Sequence, residues 1–574
     1  MDWLCFPRFD SPAIFASLLD PEGGHWSIRP LSGDIRTRRR YLKGSLALET
    51  TFHTASGEMV LTDTLALGRN KRGHQLGSEA PHALLREARC SQGEVEILSS
   101  FEARPEYGLV YPLFRPAEGG CVGQGGASLL RLSAPEPLEI HGSTVRTRLT
   151  LAQGEAASFA FQWGPTRGPP PKGWSREEIA EGIRDTREGW ESWSEMHQRY
   201  DGPWKDLVHH SGRVLQGLTY YPTGAMVAAP TTSLPEALGG DRNWDYRYTW
   251  VRDASFTLHA LWVAACPDEA QKFFDFLANT ALTRMRREDR LQIMFGIGGE
   301  HDLTEREIPH LRGWRGSRPV RVGNDAWKQR QLDVYGELLD AAWRFREYLE
   351  NMDTLTRQLL ADMADSAANR WQEKDQGIWE VRGEPRHFLH SKLMCWVALD
   401  RGVRMAELLD AQDRVDGWKA ARHDIRERIL AEGWNEELGS FTQVLGGGTL
   451  DASSLMIPIV GFLDGKDPRV RSTLEVTEEH LTDENGLVYR YRSEDGLTGD
   501  EGTFLLCTFW LAQAWALAGD KGRARSVFRR AAGFLNDVDL LAEEVDPSSR
   551  SFRGNFPQAF SHIGLVNAAW AIHK

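Results

Sequence analysis

The chain has 574 residues, of which 41% are hydrophobic and 26% are charged, a composition typical of a soluble globular protein with two or more domains. Its formal net charge of −13 disfavours nucleic acid as a partner, because there is no basic excess to follow a phosphate backbone. No stretch approaches the roughly 20 apolar residues of a membrane span, and the first residues show no signal-peptide pattern. The sequence therefore predicts a cytoplasmic protein with neither nucleic-acid nor membrane partners.

Residues 1–170 predict an antiparallel β-sandwich domain. Short segments in which apolar and polar residues alternate are separated there by Gly, Pro, Asn and Asp. Such alternation is typical of strands with one buried face. The clearest predicted strands are residues 45–54, 59–67, 95–102 and 157–163.

Residues 171–204 predict a helical linker between two domains. The segment 164–171 contains three consecutive prolines and two glycines, so it cannot continue a sheet. Ser175 and Glu178 then have the spacing of a capping box, which predicts a helix extending to about His197.

Residues 205–574 predict an all-α domain. Apolar residues recur with a 3.6-residue period in about twelve segments, each predicted to form a helix of roughly 12 to 20 residues. No predicted strands alternate with them, which disfavours a doubly wound sheet or a TIM barrel. An even number of helices in hairpins suggests a closed toroid of six inner and six outer helices, although the pattern alone leaves this closure open. The segments centre near residues 213, 259, 275, 337, 362, 398, 424, 456, 474, 510, 528 and 564.

Five connections between these helices are long, polar and rich in aromatic residues, whereas the others are short. Long loops on a rigid scaffold are where binding and catalytic sites are built. We therefore expect the functional residues in residues 222–252, 283–323, 374–387, 482–502 and 536–556.

The stretch Gly239–Asp253 is the most unusual in the chain, because three Arg and three Asp alternate there with Trp and Tyr. Buried Arg and Asp cost several kcal/mol unless they are paired, so this composition suggests a pocket for a polar, ring-shaped ligand. A sugar fits, since Arg and Asp hydrogen-bond its hydroxyls while aromatic rings stack on its C–H faces. The alternative is an aromatic-rich loop held together by surface ion pairs.

Residues 242–254, Arg-Asn-Trp-Asp-Tyr-Arg-Tyr-Thr-Trp-Val-Arg-Asp-Ala, resemble the signature of glycoside hydrolase family 15, the family of glucoamylases and bacterial trehalases. The resemblance extends over nearly the whole chain. It implies an (α/α)6 barrel preceded by a β-sandwich and a helical linker. It also implies that Trp250, Arg252 and Asp253 bind the terminal glucose.

Hydrolysis of a glycosidic bond requires two carboxyl groups, and Glu380 is the first candidate. It lies between Trp379 and Val381, and apolar neighbours disfavour the ionised form of a carboxyl group, as a general acid requires. The alternative is a surface Glu at the end of an element. Because residues 377–383 resemble the family segment that holds the general acid, the resemblance assigns that role to Glu380, and we expect Trp379 to contact the substrate.

Glu543 is the second candidate, and it is followed by Glu544 and Asp546. Three acids within four residues repel one another unless they are solvated or paired, so a solvated acidic turn is the alternative. The segment resembles the family segment that holds the general base, which maps onto Glu543, with Glu544 as the fallback. Family 15 enzymes invert the anomeric centre, so the resemblance implies a carboxyl separation of about 6.5–9.5 Å.

Two further segments resemble family segments: residues 309–324 resemble the one ahead of the next barrel helix, and residues 486–491 resemble the one whose Arg binds the first sugar hydroxyls. The resemblance assigns Arg490 to the first sugar hydroxyls and, more loosely, Glu501 to the same site. Trp314 is a candidate stacking platform, and a buried core Trp is the alternative. We hypothesise that Trp327 narrows or caps a subsite.

Cofactor and metal sites are not predicted. Gly296–Glu300 is rich in glycine but lacks the G-x-G-x-x-G spacing of a dinucleotide site. The pairs His209/His210 and His387/His390 belong to no complete metal-binding motif, so histidines with a structural role are the simpler interpretation. No C-x-x-C pair occurs among Cys5, Cys90, Cys121, Cys266, Cys395 and Cys507, which are expected to be reduced and mostly buried.

The predicted function is an inverting, exo-acting α-glucosidase that releases glucose from malto- or isomalto-oligosaccharides without a cofactor or metal. The first alternative is an α,α-trehalase. A phosphorylase would lack the acid at position 543, and a non-catalytic sugar-binding protein would not need both acids. The expected partner is a small oligosaccharide or disaccharide, and the oligomeric state is left open, with a homodimer as one option.

Overall fold

The computed structural model describes residues 1–196, 199–265, 267–288, 291–348, 352–492 and 501–574. The chain divides into two compact units, Met1–Met196 with Ile308–Gly316 and His197–Glu307 with Ser317–Lys574. The first unit is rich in strands and the second in helices, which confirms the predicted order of classes. The predicted helix end at His197, the thiol of Cys266 and parts of the predicted loops 283–323 and 482–502 lie outside the described residues.

The first unit is built from antiparallel strands. Each of the four strands predicted above overlaps a strand of the structure. The strands are β1 (Leu4–Cys5), β2 (Ala13–Phe15), β3 (His25–Pro30), β4 (Arg36–Tyr41), β5 (Leu48–His53), β6 (Gly57–Leu65), β7 (Ala83–Glu102), β8 (Leu113–Ala117), β9 (Gly120–Gly125), β10 (Ser128–Ser133), β11 (Glu139–His141), β12 (Thr144–Ala152) and β13 (Ala156–Pro165).

Strand β7 organises this unit, because its two halves pair with different neighbours. The first half is hydrogen-bonded to β6 and β13, and the second half to β12 and β3. Apolar side chains from both halves share one core, in which Trp26 of β3 packs edge-on against Phe101 of β7 with ring centroids 5.3 Å apart. The long strand therefore joins two layers over a common aromatic core.

Helix α1 (Arg176–Ser194) begins at the predicted capping box. Ser175 Oγ accepts a hydrogen bond from the Glu178 amide at 3.2 Å, and Glu178 Oε2 accepts one from the Ser175 amide at 2.9 Å. These bonds satisfy amide groups that have no partner within the helix. Ile179 is buried beside Leu85 of β7, so the helix assigned above to a linker packs against the strands of the first unit.

The second unit is helical, and a helix lies at each of the twelve predicted centres. The helices are α2 (Lys205–Gly217), α3 (Ala254–Ala264), α4 (Pro267–Glu288), α5 (Asp333–Phe345), α6 (Thr354–Arg370), α7 (Leu389–Met405), α8 (Val415–Arg428), α9 (Met456–Ile459), α10 (Pro468–His480), α11 (Leu505–Leu517), α12 (Lys521–Ala532) and α13 (Ala559–His573).

The apolar pattern of each helix determines where it packs. Helices α3, α11 and α13 are apolar on all sides, as helices surrounded by other elements are. Helix α3 packs against α5 and α13, α5 against α7, and α11 against α9 and α13. The even-numbered helices cover this series, with α4 against α3, α8 against α7 and α12 against α11. Helix α12 is amphipathic and buries one face, formed by Ala524, Val527, Phe528 and Ala531.

Helix α9 is much shorter than the sequence predicts. Asp451 caps a 3-10 turn ahead of it by accepting a hydrogen bond from the Ser453 amide at 2.7 Å. Pro458 lies inside α9 and lacks an amide donor, and Gly461 follows with a φ of +76°. Because proline interrupts helical hydrogen bonding and a left-handed glycine ends a helix, only one turn forms.

The expectation that no strands alternate with the helices is wrong for very short strands, because two residues are too few to produce a recognisable period. Among the described residues they form four antiparallel pairs and, from the last three, one three-stranded antiparallel sheet. They are β14 (Thr219–Tyr220), β15 (Ala225–Met226), β16 (Thr249–Trp250), β17 (Met294–Phe295), β18 (Arg306–Glu307), β19 (Arg321–Val322), β20 (Trp434–Asn435), β21 (Ser440–Phe441), β22 (Thr503–Phe504), β23 (Glu544–Val545) and β24 (Phe552–Arg553).

Within the described ranges, no helix combines the length and apolar character that a membrane crossing requires. The thiols of Cys90, Cys121, Cys395 and Cys507 are free and buried, as the sequence predicts.

Candidate active site

A cavity that is partly open to solvent lies in the second unit, and the empty space between its walls, including the part open to solvent, is about 800 Å³. Four of the five predicted long loops supply its walls. The lining residues are Ala228, Glu236, Arg242, Trp244, Tyr246, Trp250, Arg252, Asp253, Asn324, Ala326, Ile378, Trp379, Glu380, Val381, Arg382, Arg490, Tyr491, Phe504, Glu543, Gln558 and Phe560.

The stretch 239–253 supplies both cavity walls and a buried ion pair. Strand β16 pairs with β17 and thereby fixes Trp250, which is almost fully buried. Arg247 Nη2 lies 2.7 Å from Asp245 Oδ2, and both side chains are inaccessible to solvent. The ion pairs of the alternative interpretation are thus present, although this one is buried rather than on the surface.

Arg252 connects two sides of the cavity. Its Nε donates to Asp253 Oδ1 at 3.1 Å, and its Nη1 donates to the Ile378 carbonyl at 2.7 Å and to Glu380 Oε1 at 3.2 Å. Burial raises the pKa of Asp253 above its usual range, and the neighbouring Arg252 opposes that rise. This planar fork fixes the relative positions of two carboxyl groups, a task that a lysine ammonium cannot perform.

Glu380 receives two hydrogen bonds on one carboxyl oxygen. Trp250 Nε1 donates to Glu380 Oε1 at 2.6 Å, in addition to the bond from Arg252. The apolar surroundings predicted from the sequence are therefore only part of its environment. The residue has a φ of +58°, a left-handed conformation that is strained for a side chain with a Cβ and that is concentrated at functional sites. Its carbonyl accepts a hydrogen bond from Gln329 Nε2 at 3.1 Å, which helps to hold this conformation.

Glu543 is 2% exposed and also lines the cavity. Tyr246 Oη donates to Glu543 Oε1 at 2.8 Å. Burial, followed by the nearby Glu236 carboxyl, raises the pKa of Glu543 well above its usual range. The next residue, Glu544, lies in β23, is fully buried and does not line the cavity, so only Glu543 of the two candidates faces it.

Arg490 lies close to three acidic side chains. Its Nη2 lies 2.6 Å from Glu501 Oε1, 3.2 Å from Glu236 Oε2 and 3.8 Å from Glu544 Oε1. Glu501 also pairs with Arg242, and both arginines line the cavity whereas Glu501 does not. Glu501 therefore fixes the guanidinium groups of Arg242 and Arg490 without itself lining the cavity.

Aromatic side chains complete the cavity walls. Trp244 has the guanidinium of Arg321 4.7 Å from its ring centroid and that of Arg382 4.0 Å from it. Trp379 Nε1 donates to both carboxyl oxygens of Asp451 at 3.0 Å, which fixes the orientation of its ring. Such fixed rings suit the C–H faces of a sugar.

The structure brings together seven of the residues that the sequence nominates: Trp250, Arg252, Asp253, Trp379, Glu380, Arg490 and Glu543. Glu501 contacts two of the lining arginines instead. Trp314 lies in the segment Ile308–Gly316 of the first unit and is not among the lining residues, and neither is Trp327.

Sequence reasoning did not nominate several side chains that line the cavity, among them Glu236, Arg242, Trp244 and Tyr246. Arg242, Trp244 and Tyr246 lie inside the nominated stretch, so their composition was a usable signal. Glu236 had none, because it lies among Leu, Pro and Ala, and what places it in the site is Arg490, 254 positions away.

The histidines considered above for a metal site have structural contacts. His209 Nε2 lies 3.1 Å from the Tyr200 carbonyl, and His390 Nδ1 lies 3.6 Å from Asp333. Within the described part of the chain, no three His, Cys, Asp or Glu side chains are grouped so that they could hold a metal ion.

Gly554 determines where the Glu543 carboxyl can lie. A Cβ added at Gly554 would be 2.5 Å from Glu543 Oε2, too close for both atoms to stay in place. We expect Gly554→Ala to move this carboxyl and to lower kcat about 10–100-fold, because small misplacements of catalytic groups cost that much.

The matched control is Gly446→Ala. Gly446 has a φ of +70°, similar to the +74° of Gly554, but an added Cβ there would meet no other atom within 4 Å. Both substitutions carry a backbone strain of about 1–2 kcal/mol. The midpoint temperature of thermal unfolding should therefore be lower than that of the wild type in both variants. The value of kcat from steady-state kinetics should be reduced only in Gly554→Ala. Equal activity of the two variants would contradict the prediction.

Comparison with protein families gives two matches. The model of "Glycosyl hydrolases family 15" matches residues 202–570, and that of "Trehalase-like, N-terminal" matches residues 1–141. The first match covers most of the helical part of the chain, and the second covers most of the strand-rich part.

Two curated relatives cover almost the whole chain. A protein of Mycolicibacterium smegmatis named "Trehalase" is 40% identical over 588 residues, which are 99% of this chain and 87% of that protein. A protein of Thermoplasma acidophilum with the same name is 31% identical over 573 residues, 99% of this chain and 96% of that protein.

Among solved structures, a bacterial glucoamylase complexed with acarbose superposes with a TM-score of 0.73 at 13% sequence identity. The superposition covers 100% of this chain and 91% of the other. At this identity the likeness concerns the fold alone.

Proposed function

Because this chain belongs to glycosyl hydrolase family 15 and is a glycoside hydrolase, we propose that its substrate is α,α-trehalose. The relatives named trehalase favour this alternative over the malto- and isomalto-oligosaccharides that rank first from the sequence alone. All of these sugars present the same terminal α-glucose and differ in what occupies the next subsite.

Glu380 acts as the general acid and Glu543 as the general base. In an inverting hydrolysis, the acid protonates the leaving oxygen while the base removes a proton from the water that attacks the anomeric carbon. The observation that carries this assignment is that both carboxyl groups line one cavity together with Arg252 and Asp253. A cavity shared by an acid, a base and groups that bind glucose is what the reaction requires.

The contacts of two aromatic rings are evidence for the proposed separation of the two carboxyl groups. Trp250 donates to Glu380, Tyr246 donates to Glu543, and the centroids of the two rings are 5.5 Å apart. Each carboxyl group is therefore held by its own ring. The predicted separation of about 6.5–9.5 Å leaves room for the attacking water.

The closed (α/α)6 toroid and the N-terminal β-sandwich are part of the same proposal. Helix α3 packs against both α5 and α13, which supports a closed series. Strand β7 belongs to two layers that share one core, which supports a sandwich. The domain boundaries at residues 170 and 204, the cytoplasmic location and the oligomeric state stay predictions.

A substrate panel with anomer analysis tests the proposed function. We expect glucose release from α,α-trehalose to exceed that from maltose and isomaltose, with α- and β-glucose formed initially in equal amounts by NMR. Inversion converts the attacked glucose to the β-anomer while the departing glucose stays α, and retention would give only the α-anomer.

Each assay is run with and without inorganic phosphate. Glucose 1-phosphate as a product would indicate a phosphorylase instead. Preferential cleavage of maltose would restore the first prediction from the sequence, and binding without turnover of any α-glucoside would indicate a sugar-binding protein.

A further inference from the structure

Tyr246 lies between two carboxyl groups but carries only one hydroxyl proton. Its Oη is 2.8 Å from Glu543 Oε1 and 3.3 Å from Glu236 Oε1. Both distances fall within hydrogen-bonding range, and the phenol can donate to only one acceptor at a time. The second carboxyl group can complete the chain only by bringing a proton of its own. The three groups thus form a line in which one extra proton is shared.

The charges around this line also require a proton. Glu236, Glu501, Glu543 and Glu544 are four neighbouring acids, of which three are almost fully buried. Arg490 and Arg242 are the cations that pair with members of this group. Four ionised carboxylates with two guanidinium groups would leave an excess negative charge in a buried site, which is costly. Protonation of the acids relieves that excess.

We propose that Glu236 is a positioning residue that shares a proton with Glu543 through Tyr246 and so sets the pH at which the base ionises. The proposal rests on the hydrolase function described above. Glu236 does not need to touch the reacting atoms, because it acts through the phenol.

The proton balance of the turnover follows from this arrangement. When Glu543 is ionised, the shared proton lies on Glu236, which donates to Tyr246 Oη while the phenol donates to Glu543. When Glu543 then takes a proton from the attacking water, an O–H bond of the water breaks, an O–H bond on Glu543 forms, and both carboxyl groups are protonated. One proton passes to water in the cavity, which is partly open to solvent, before the next turnover, and the pair again shares a single proton.

The charged groups around Glu543 and Glu236 affect the pKa of both residues in the same direction, as expected for two groups that titrate together. Burial and the neighbouring acids raise the pKa of both Glu236 and Glu543, whereas Arg490 lowers both. Glu501 lies on the same side and adds to the rise for each. Groups that interact this strongly lose their protons in steps that belong to the pair rather than to either residue.

Opposite shifts of the pH profile test the proposal. Glu236→Gln removes a negative charge while keeping the shape of the side chain, so the acid limb of kcat/KM should move to lower pH by about one unit. Tyr246→Phe removes the hydrogen bond to the Glu543 carboxylate, so its acid limb should move to higher pH. A merely structural role would lower kcat at every pH without moving the limb.

The control is Glu437→Gln, which removes an exposed carboxyl group of the helical unit and should leave the profile unchanged. If the wild type is active and the acid limb of its kcat/KM profile coincides with that of Glu236→Gln, the inference is overturned and the proposed function still stands. Absence of wild-type turnover on every α-glucoside would instead count against the proposed function.

The inference can also be tested without turnover. Infrared difference spectroscopy between the wild type and Glu236→Gln should show the titration of a buried carboxyl group moving with the variant. An unchanged titration of the remaining carboxyl groups would overturn the proton sharing even if the variant were inactive or less stable.

Discussion

Glu380→Gln should lower kcat on α,α-trehalose by about 10²–10⁴-fold, because a glutamine at this position cannot protonate the leaving glucose. The amide is nearly isosteric and keeps an oxygen that can accept from Trp250 and Arg252. We therefore expect KM to change much less than kcat. Steady-state kinetics of the purified variant give both values.

An activated substrate separates a lost acid from a damaged site. The glucosyl bond of α-glucosyl fluoride breaks without a proton donor, so Glu380→Gln should retain much more of its activity on this substrate than on trehalose. Glu384→Gln is the matched control, since Glu384 is exposed in the same loop and does not line the cavity. Equal losses on both substrates would show that Glu380 is not the acid.

Local chemistry explains how much of the fold is predictable from the sequence. The capping box at Ser175 and Glu178 specifies a helix start through contacts three residues apart, and the structure has both of its hydrogen bonds. The all-apolar pattern of α11 similarly predicts a helix buried on every side. Helix α9 was overestimated because its apolar period continues through Pro458, whose missing amide the period does not register.

Some residues of the candidate site can be predicted from local sequence, and others cannot. Trp250 and Arg252 lie in a stretch whose charged and aromatic composition suggests a pocket for a polar ligand, and they line the cavity. Glu236 lies in an ordinary sequence, and its significance arises only where Arg490 and Tyr246 approach it. A contact over 254 positions is a product of the tertiary fold, which no local pattern encodes.

The choice between Glu543 and Glu544 shows why a motif needs a structure. Both residues are buried, and burial raises the pKa of each carboxyl group well above its usual range. They differ in direction, because Glu543 faces the cavity and Tyr246 whereas Glu544 accepts a hydrogen bond from the Gly502 amide at 2.9 Å.

Glu543→Gln should abolish the base and lower kcat by about 10²–10⁴-fold on trehalose and on α-glucosyl fluoride alike, since both reactions need an activated water. Glu544→Gln should retain most of the activity, because its amide oxygen can still accept from Gly502. The reverse ranking would transfer the role of base to Glu544.

The same substitution should stabilise the fold at alkaline pH. The pKa of Glu543 is raised in the folded protein, so the favourable contribution of the neutral carboxyl is complete below its ordinary pKa and is lost as the pH rises through the raised value. A glutamine is neutral throughout. The free energy of unfolding of Glu543→Gln should therefore exceed that of the wild type increasingly as the pH rises from the ordinary pKa of a glutamic acid to the raised pKa of Glu543 in the folded protein.

Chemical denaturation at several pH values measures this gain, and kcat/KM of the wild type should rise over the pH range in which the stability gain of the variant appears. Both observations report one event, the ionisation of a buried carboxyl group. A base that is costly to ionise in the folded state is also one that binds a proton strongly once it is ionised, so instability and catalytic strength have the same origin. If the gain in stability and the rise in activity occupied different pH ranges, Glu543 could not be the group responsible for both.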